Sequence, residues 1–504
     1  MKKIWKFFDS PPKLSVIIAA GIIIIVLFVF PVGMADNGDF YRVINGNGIY
    51  KLDRAQSDQY MQYFSLDYGI YQYYNEYEGS IISSQTPVVR AAVALDKLFT
   101  GNDDIFDIRF LSAIISLWFL VSLYLLVDCA SWGTRKRYGY YIAAIAVFMF
   151  ADTGYTVYFN SFYAEGLVLV SFLTAMSCAL LIFQQRYKPY PLLALYVFSS
   201  LMLITSKQQN APLGVLLGLL IIPIMHSIHP KSESKLRGAR MHKISTALCA
   251  LLLCACGILV YFVIPQEFVD INKYHSLTRG ILMTSENPEK ALESFGINPQ
   301  FSLLDGSIYY ERYPATDVEG EELKTDLYPK YDFFSVSAYY AEHPAEFMVM
   351  LNKAAKVAYT VRPDSIGNYQ RSAGKAPETR TYFFALNSTA KEAIVPHTVG
   401  FMLIWIFAML ALSLIDRKRT LVLACAILMG ISQIVVSIIG AGDADLSKHI
   451  FLYSVAFDFT NFIVISTVFM RWRSNKQEAS VSAAEPKKLP DIEDPQESER
   501  ETEQ

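Results

Sequence analysis

Acids and cations recur in this sequence where apolar runs end. Asp36 and Asp39 stand in "MADNGDFYRVINGNG", directly after a run that contains "VIIAAGIIIIVLFVFPVG". Glu165 lies in "YFNSFYAEG", Lys207 in "TSKQQNAP", and Asp443, Asp445, Lys448 and His449 in "GAGDADLSKH". A carboxylate held beside a hydroxyl can take its proton as a general base. Lysine and arginine stabilise a departing phosphate through charge-assisted hydrogen bonds. Both residue types at one membrane surface suit sugar transfer from a polyprenyl-phosphate donor. The tail stays in the bilayer, the phosphate rests at the interface, and the sugar projects into a polar cavity. That chemistry needs no Gly-rich nucleotide loop, and the sequence has none.

Each residue also has a structural reading. Asp36 and Asp39, three apart, would share a face on a helical turn or cap the segment that follows, since Asp-Asn-Gly is a turn sequence. Lys207 could anchor a helix end at the interface. Asp152 and Asp458 fall inside apolar runs, where a carboxylate is costly unless paired or facing a polar cavity, so a transporter stands as an alternative. The sequon Asn387-Ser388-Thr389 is too short a pattern to carry weight.

These residues must be positioned by membrane-spanning helices. Of 504 residues, 53% are hydrophobic and only 18% charged, against about a quarter charged in soluble domains. All six cysteines fall in or at the edges of apolar runs, as small core residues rather than a disulfide framework. The net charge of -3, with no basic stripe or zinc spacing, gives no sign of a nucleic-acid partner. Apolar runs of spanning length or slightly less begin near Leu14, Ile108, Tyr138, Phe162, Leu192, Ala211, Ile244, His397, Leu421 and His449, which makes about ten spans. The first is longer than a signal-peptide core and is read as an uncleaved span.

Lysine and arginine cluster before the first run and in alternate short loops, such as Arg135-Lys136-Arg137 and Arg417-Lys418-Arg419. With ten spans every cluster lies on one side, so both termini are expected in the cytoplasm. Lys207 and Lys448 run against that tendency. The expected class is an all-α polytopic membrane protein with two large extracytoplasmic loops. Residues 1–34 hold the N-terminus and first span, 35–107 the first loop, 108–263 spans two to seven, and 264–395 a soluble domain. Residues 396–471 hold the last three spans and 472–504 a disordered cytoplasmic tail. The first loop carries "TPVVRAAVALDKLF", an amphipathic stretch suited to the interface. In the second, "SVSAYYAEHPAEFMVMLNKAAKVAYTV" reads as helix interrupted near Pro344.

With that topology the chain resembles the membrane-embedded GT-C glycosyltransferases. In that superfamily an acid follows the first span, an amphipathic first outer loop comes next, and a second acid lies between the third and fourth spans. "DNGDF" and "YFNSFYAEG" match those places. More narrowly it is similar to bacterial hexosyltransferases of S-layer and other cell-surface glycans. The similar stretches include "DNGDFYRV", "FDIRFLSAIISLWFLVSLYLL", "YHSLTRGILMTSENPEKALESFGI", "RPDSIGNYQR" and "DADLSKHIFLYSVAFDF". The likeness runs to about Arg473 and omits the tail.

The resemblance implies inverting transfer of a hexose from a polyprenyl-phosphate donor to a cell-surface glycan or lipid-linked acceptor. The place would be the outer face of a bacterial cell membrane. It makes Asp36 the catalytic base, with Asp39 beside it and Glu165 as the second-loop acid. Arg42, Lys207, Arg371, Lys448 and His449 would bind substrate or phosphate. Asn37-Gly38 departs from the superfamily, where many members have a second acid directly after the first. No metal ligand or cofactor is assigned, a divalent cation being the alternative. The competing functions are a lipid-linked glycan flippase, polymerase or ligase, a transporter, and a scaffold that presents the second loop to a partner.

Overall fold

The computed structural model describes residues 9–52, 60–72, 83–228 and 235–484, the side chains of 235–242 and 472–484 excepted. The ten apolar runs are helical. They are α1 (Pro11–Ile23, continued by a π-helical turn Ile24–Val29), α2 (Arg109–Ser131), α3 (Lys136–Phe150), α4 (Glu165–Phe183) and α5 (Pro189–Ile204). The others are α6 (Leu213–Ser227), α7 (Lys235–Phe262), α8 (Val399–Ser413), α9 (Arg417–Ala441) and α10 (Phe451–Ala484). Among the described residues, seven helical runs are long and apolar enough to cross a bilayer. The count is eight if α3 and the helical stretch Thr153–Asn160, bent by 49°, are one span. The difference from about ten lies in α5, which is shorter than a span, and in Val399–Ala441, one run that contains both α8 and α9.

The bend after α3 has a local cause. Asp152 leaves helical geometry and its carboxylate accepts the Gly154 amide at 2.7 Å, capping a new helix. A helix apolar on every side belongs in an interior, and α4 is buried from Glu165 to Ile182. Its Thr174 hydroxyl contacts Ser122 Oγ of α2 at 2.7 Å and accepts from the Trp118 indole at 3.0 Å. The α6–α7 contact is made by small residues. A Cβ on Gly214 would meet the Leu253 carbonyl at 2.5 Å, and one on Gly257 the Ala211 carbonyl at 2.3 Å. Such close backbone approach is how helices associate where lipid removes the hydrophobic drive.

The first loop holds a small antiparallel sheet that the all-α expectation lacked: β1 (Ile49–Tyr50), β2 (Asp67–Ile70) and β3 (Ile105–Asp107), in the order β1-β2-β3. Its amphipathic stretch is the helix Gln85–Thr100. That helix buries Val89, Ala92 and Asp96 and leaves Leu95, Leu98 and Phe99 exposed. The Asp107 amide donates to Asp96 at 2.8 Å and ties this helix to β3. In the second loop the helices Phe333–Glu342 and Pro344–Val357 part at His343, as the proline requires. The loop shares one apolar core with the final helices, where Tyr359 meets Phe457 and Tyr453, and Trp405 meets Phe457. The last helix continues to Ala484, so residues 472–484 are helical rather than disordered. The rest of the expected tail, 485–504, lies outside the described residues, as do Lys2, Lys3 and Lys6 of the basic N-terminus.

Candidate functional site

The chain leaving α1 is gripped from both sides. The Gly33 and Ala35 amides donate to the carbonyls of Asn368 and Gly367 at 3.1 and 3.0 Å. The Asn160 side chain donates to the Leu27 and Val32 carbonyls at 3.0 and 2.9 Å. A Cβ on Gly33 would lie 2.4 Å from the Asn160 carbonyl, so only glycine fits there. Tyr163 then fixes the polar residues. Its hydroxyl donates to the Ala35 carbonyl and accepts the Asn37 amide, both at 2.8 Å. Phe40 is held edge-on between the rings of Phe162 and Tyr163.

That scaffold sets the two aspartates in different roles. Asp36 turns inward with 6% of its side chain exposed and forms an ion pair with Lys51. Its Oδ1 accepts the Gly38 and Phe40 amides at 2.7 and 3.1 Å, which is the capping geometry, with Gly38 at φ +108°. Asp39 is the more open of the two, with 30% of its side chain exposed. Its Oδ2 pairs with Lys448, and Arg42 approaches its Oδ1 at 3.5 Å. Lys448 is buried, with its ammonium 4.5 Å from the centre of the Tyr163 ring and 3.9 Å from Asp445.

The other two turns close the group. Lys207 pairs with Glu165 at 2.5 Å. His449 Nδ1 lies 2.5 Å from Gln209 Oε1, and the Gln209 amide returns to the His449 carbonyl at 2.5 Å. Asp445 adopts a left-handed conformation at φ +45° and accepts from the Asn37 amide group at 3.1 Å. A non-glycine residue in that region is a strain the surrounding contacts must hold. Beside it Gly442 at φ +60° packs on the Arg279 backbone, while Asp443 binds Arg279 at 2.7 Å and Lys353 at 2.9 Å.

The charges in this cluster balance. Asp36, Asp39, Glu165 and Asp445 face Arg42, Lys51, Lys207 and Lys448. Burial acts to raise the Asp39 carboxyl, but Lys448 and Arg42 outweigh it and hold that carboxyl well below the usual range. Burial, then the Lys207 charge, brings His449 down to about 4, so its imidazole is neutral at pH 7. Burial favours a neutral Lys448, yet Asp39 and Asp445 keep its ammonium charged. Asp36, Asp39 and Glu165 each engage a different lysine. Among the described residues no group of three or more His, Cys, Asp or Glu side chains is placed to hold a metal ion.

These contacts gather Asp36, Asp39, Arg42, Glu165, Lys207, Lys448 and His449, all singled out in the sequence. Arg371 is not among the residues so gathered. It lies on the exposed turn Arg371–Ala373, just after the stretch that clasps residues 33–35. Lys51, Tyr163, Asn37 and Gln209 were missed. Tyr163, Asn37 and Gln209 carried a signal through their places in "YFNSFYAEG", "DNGDF" and "TSKQQNAP"; Lys51 carried none. Deeper in the bundle, Asp152 accepts the Ser388 amide and hydroxyl at 3.0 and 2.6 Å. Asp458 binds Lys391 at 2.8 Å and the Tyr155 hydroxyl at 2.6 Å. Both intramembrane acids are thus engaged by the helix Leu386–Ile394 of the second loop. Asn387, the sequon residue, contacts Asp458 Oδ2 at 3.4 Å beside them.

Fold and site together define an all-α, multi-pass membrane protein with a polar, charge-balanced cluster at one end of an apolar bundle. Residues 1–488 match the family described as the YfdI N-terminal transmembrane domain, and the chain belongs to that family. No curated protein and no solved structure matches the chain.

Proposed function

We propose that this protein transfers a hexose from a polyprenyl-phosphate donor to a cell-surface glycan or lipid-linked acceptor at the extracytoplasmic membrane face. Transfer proceeds with inversion, by a GT-C-type mechanism without a nucleotide. The observation that carries this reading is the meeting of Asp39, Arg42 and Lys448 at the top of an apolar bundle, with Glu165, Lys207 and His449 behind them. A partly exposed carboxylate such as Asp39 can accept the proton of an acceptor hydroxyl. The cations beside it can hold the phosphate that departs, in a setting where such pairs are strong.

A flippase or transporter would line a path through several spans with polar groups. Here the deep carboxylates, Asp152 and Asp458, are already engaged by Ser388 and Lys391, which favours the enzyme. The test uses membranes containing the full chain and a panel of radiolabelled polyprenyl-phosphate hexoses. Label passing from donor to a glycan or second lipid supports transfer. Label that crosses the bilayer but stays on its donor overturns it in favour of the flippase.

A further inference from the structure

We propose that the donor phosphate takes Lys448 and Arg42 away from Asp39, and that this exchange of partners turns Asp39 into the base. The inference rests on the glycosyl transfer proposed above. It begins from the contrast between the two aspartates. Asp36 is enclosed, with one oxygen on two backbone amides and the other facing Lys51. It shapes the turn and has no room for an acceptor hydroxyl. Asp39 is the more exposed acid, but both of its oxygens face cations. A carboxylate so neutralised is a weak proton acceptor until those cations find another anion.

The donor supplies that anion. A polyprenyl-phosphate hexose is a phosphodiester with one negative charge. With Asp39 ionised, two cations stand against two negative charges, and the diester draws them off the carboxylate. In the reaction the acceptor hydroxyl gives its proton to Asp39, and its oxygen bonds to the anomeric carbon. The bond from that carbon to the phosphate oxygen breaks, and the electron pair leaves with the phosphate. The products are a neutral Asp39 carboxyl and a phosphate monoester with up to two negative charges, again facing Lys448 and Arg42. Total charge is unchanged, so the cluster need not rearrange its other pairs. Its cations follow the negative charge from carboxylate to phosphate.

The groups that face Asp39 come from three elements. Arg42 is on its own turn, Lys448 and His449 are on the last turn, and Tyr163 approaches from the turn before α4. Asp445 and Glu165 stand behind Lys448 and keep it charged while Asp39 is released.

Exchange predicts proton uptake when donor binds without acceptor, because Asp39 returns toward its ordinary value of about 4. The diester itself does not titrate there. Calorimetric titration of the full chain in detergent with polyprenyl-phosphate hexose, in two buffers of different ionisation enthalpy, reads that uptake. At about pH 4 we expect about half a proton more in the wild type than in Asp39→Asn. His449 titrates in the same range and feels the Asp39 charge, so the comparison is repeated in a His449→Gln background, where the difference isolates Asp39. Absence of uptake in the wild type overturns the exchange, whatever the variant does. Uptake kept in Asp39→Asn but lost in Asp36→Asn overturns the choice of Asp39. Either result leaves the transfer reaction standing. Absence of any binding heat across the donor panel removes the transfer reading and the exchange together.

Discussion

Lys207 and Glu165 lie 42 positions apart and meet at 2.5 Å, the carboxylate with only 1% of its side chain exposed. A lysine at the end of a short helix commonly reaches for the interface, but this one neutralises an acid inside the protein. Glu165 opens the most buried helix of the bundle, and its charge is favoured there by the helix dipole as well as by Lys207.

Lys207→Gln should therefore unfold the protein more readily, since it leaves Glu165 buried and unpaired. A cost of about 3 kcal/mol is expected, read as lost monodisperse protein after heating in detergent. The double variant with Glu165→Gln should recover part of that loss. Equal stability of Lys207→Gln and wild type would show that the pair does not form.

Lys391 and Asp458 present a second buried pair, both side chains at most 4% exposed. Lys391→Met strands Asp458 with the Tyr155 and Asn387 contacts alone, and should cost about 3–5 kcal/mol. Adding Asp458→Asn should restore stability toward wild type. A single variant that melts with the wild type refutes the tether.

Stability should fall as pH drops through the histidine range. Burial holds both His275 and His449 at about 4, from an ordinary 6.5. Below about 6.5 the unfolded chain takes up protons at these rings and the folded chain does not, so unfolding is favoured until pH reaches about 4. Above that window their contribution is fully present. The expected loss is about 2 kcal/mol per histidine, visible as a lower Tm at pH 5 than at pH 7. A Tm that is flat between those values would contradict it. His275→Gln, which can still accept the Tyr309 amide now bound to Nε2, should remove that residue's share.

Orientation is open to a direct measurement. The basic loops predict that reporters fused after Lys476 and within Pro299–Pro329 will report opposite sides of the membrane, the former cytoplasmic. Reports from the same side would remove the extracytoplasmic placement of the cluster.

The helices and the gathering of the cluster were legible in the sequence for simple reasons. Apolar runs of spanning length have few alternatives to helix in a bilayer. Alternating basic loops then assign Glu165, Lys207 and Lys448 to one end. What could not be read was which acid each cation would meet. Lys51 sits in an ordinary polar stretch, and its pairing with Asp36 depends on a hairpin of β1 and β2 that two-residue strands barely announce. The distinction between Asp36 and Asp39 likewise follows from Tyr163 and Gly38, which set one carboxylate inward and one outward. The capture of Asp152 and Asp458 by the helix Leu386–Ile394 was hidden because that helix is polar and lies far along the chain.

The same capture bears on how the second loop can move over the site. The second large loop is pinned twice: Gly367–Tyr369 lies along residues 33–35 and Phe64, and Ser388 and Lys391 are sunk between the bent span and α10. A beam fixed at two points does not swing as a hinged door does. Opening it would break main-chain hydrogen bonds at one pin and expose an ion pair to lipid at the other. Rearrangement near the site would then fall to side-chain rotation and flexing of the span between the pins, motions of nanoseconds to microseconds. A reaction run at so braced a site would be timed by its chemistry or by escape of its product, not by the opening of a domain.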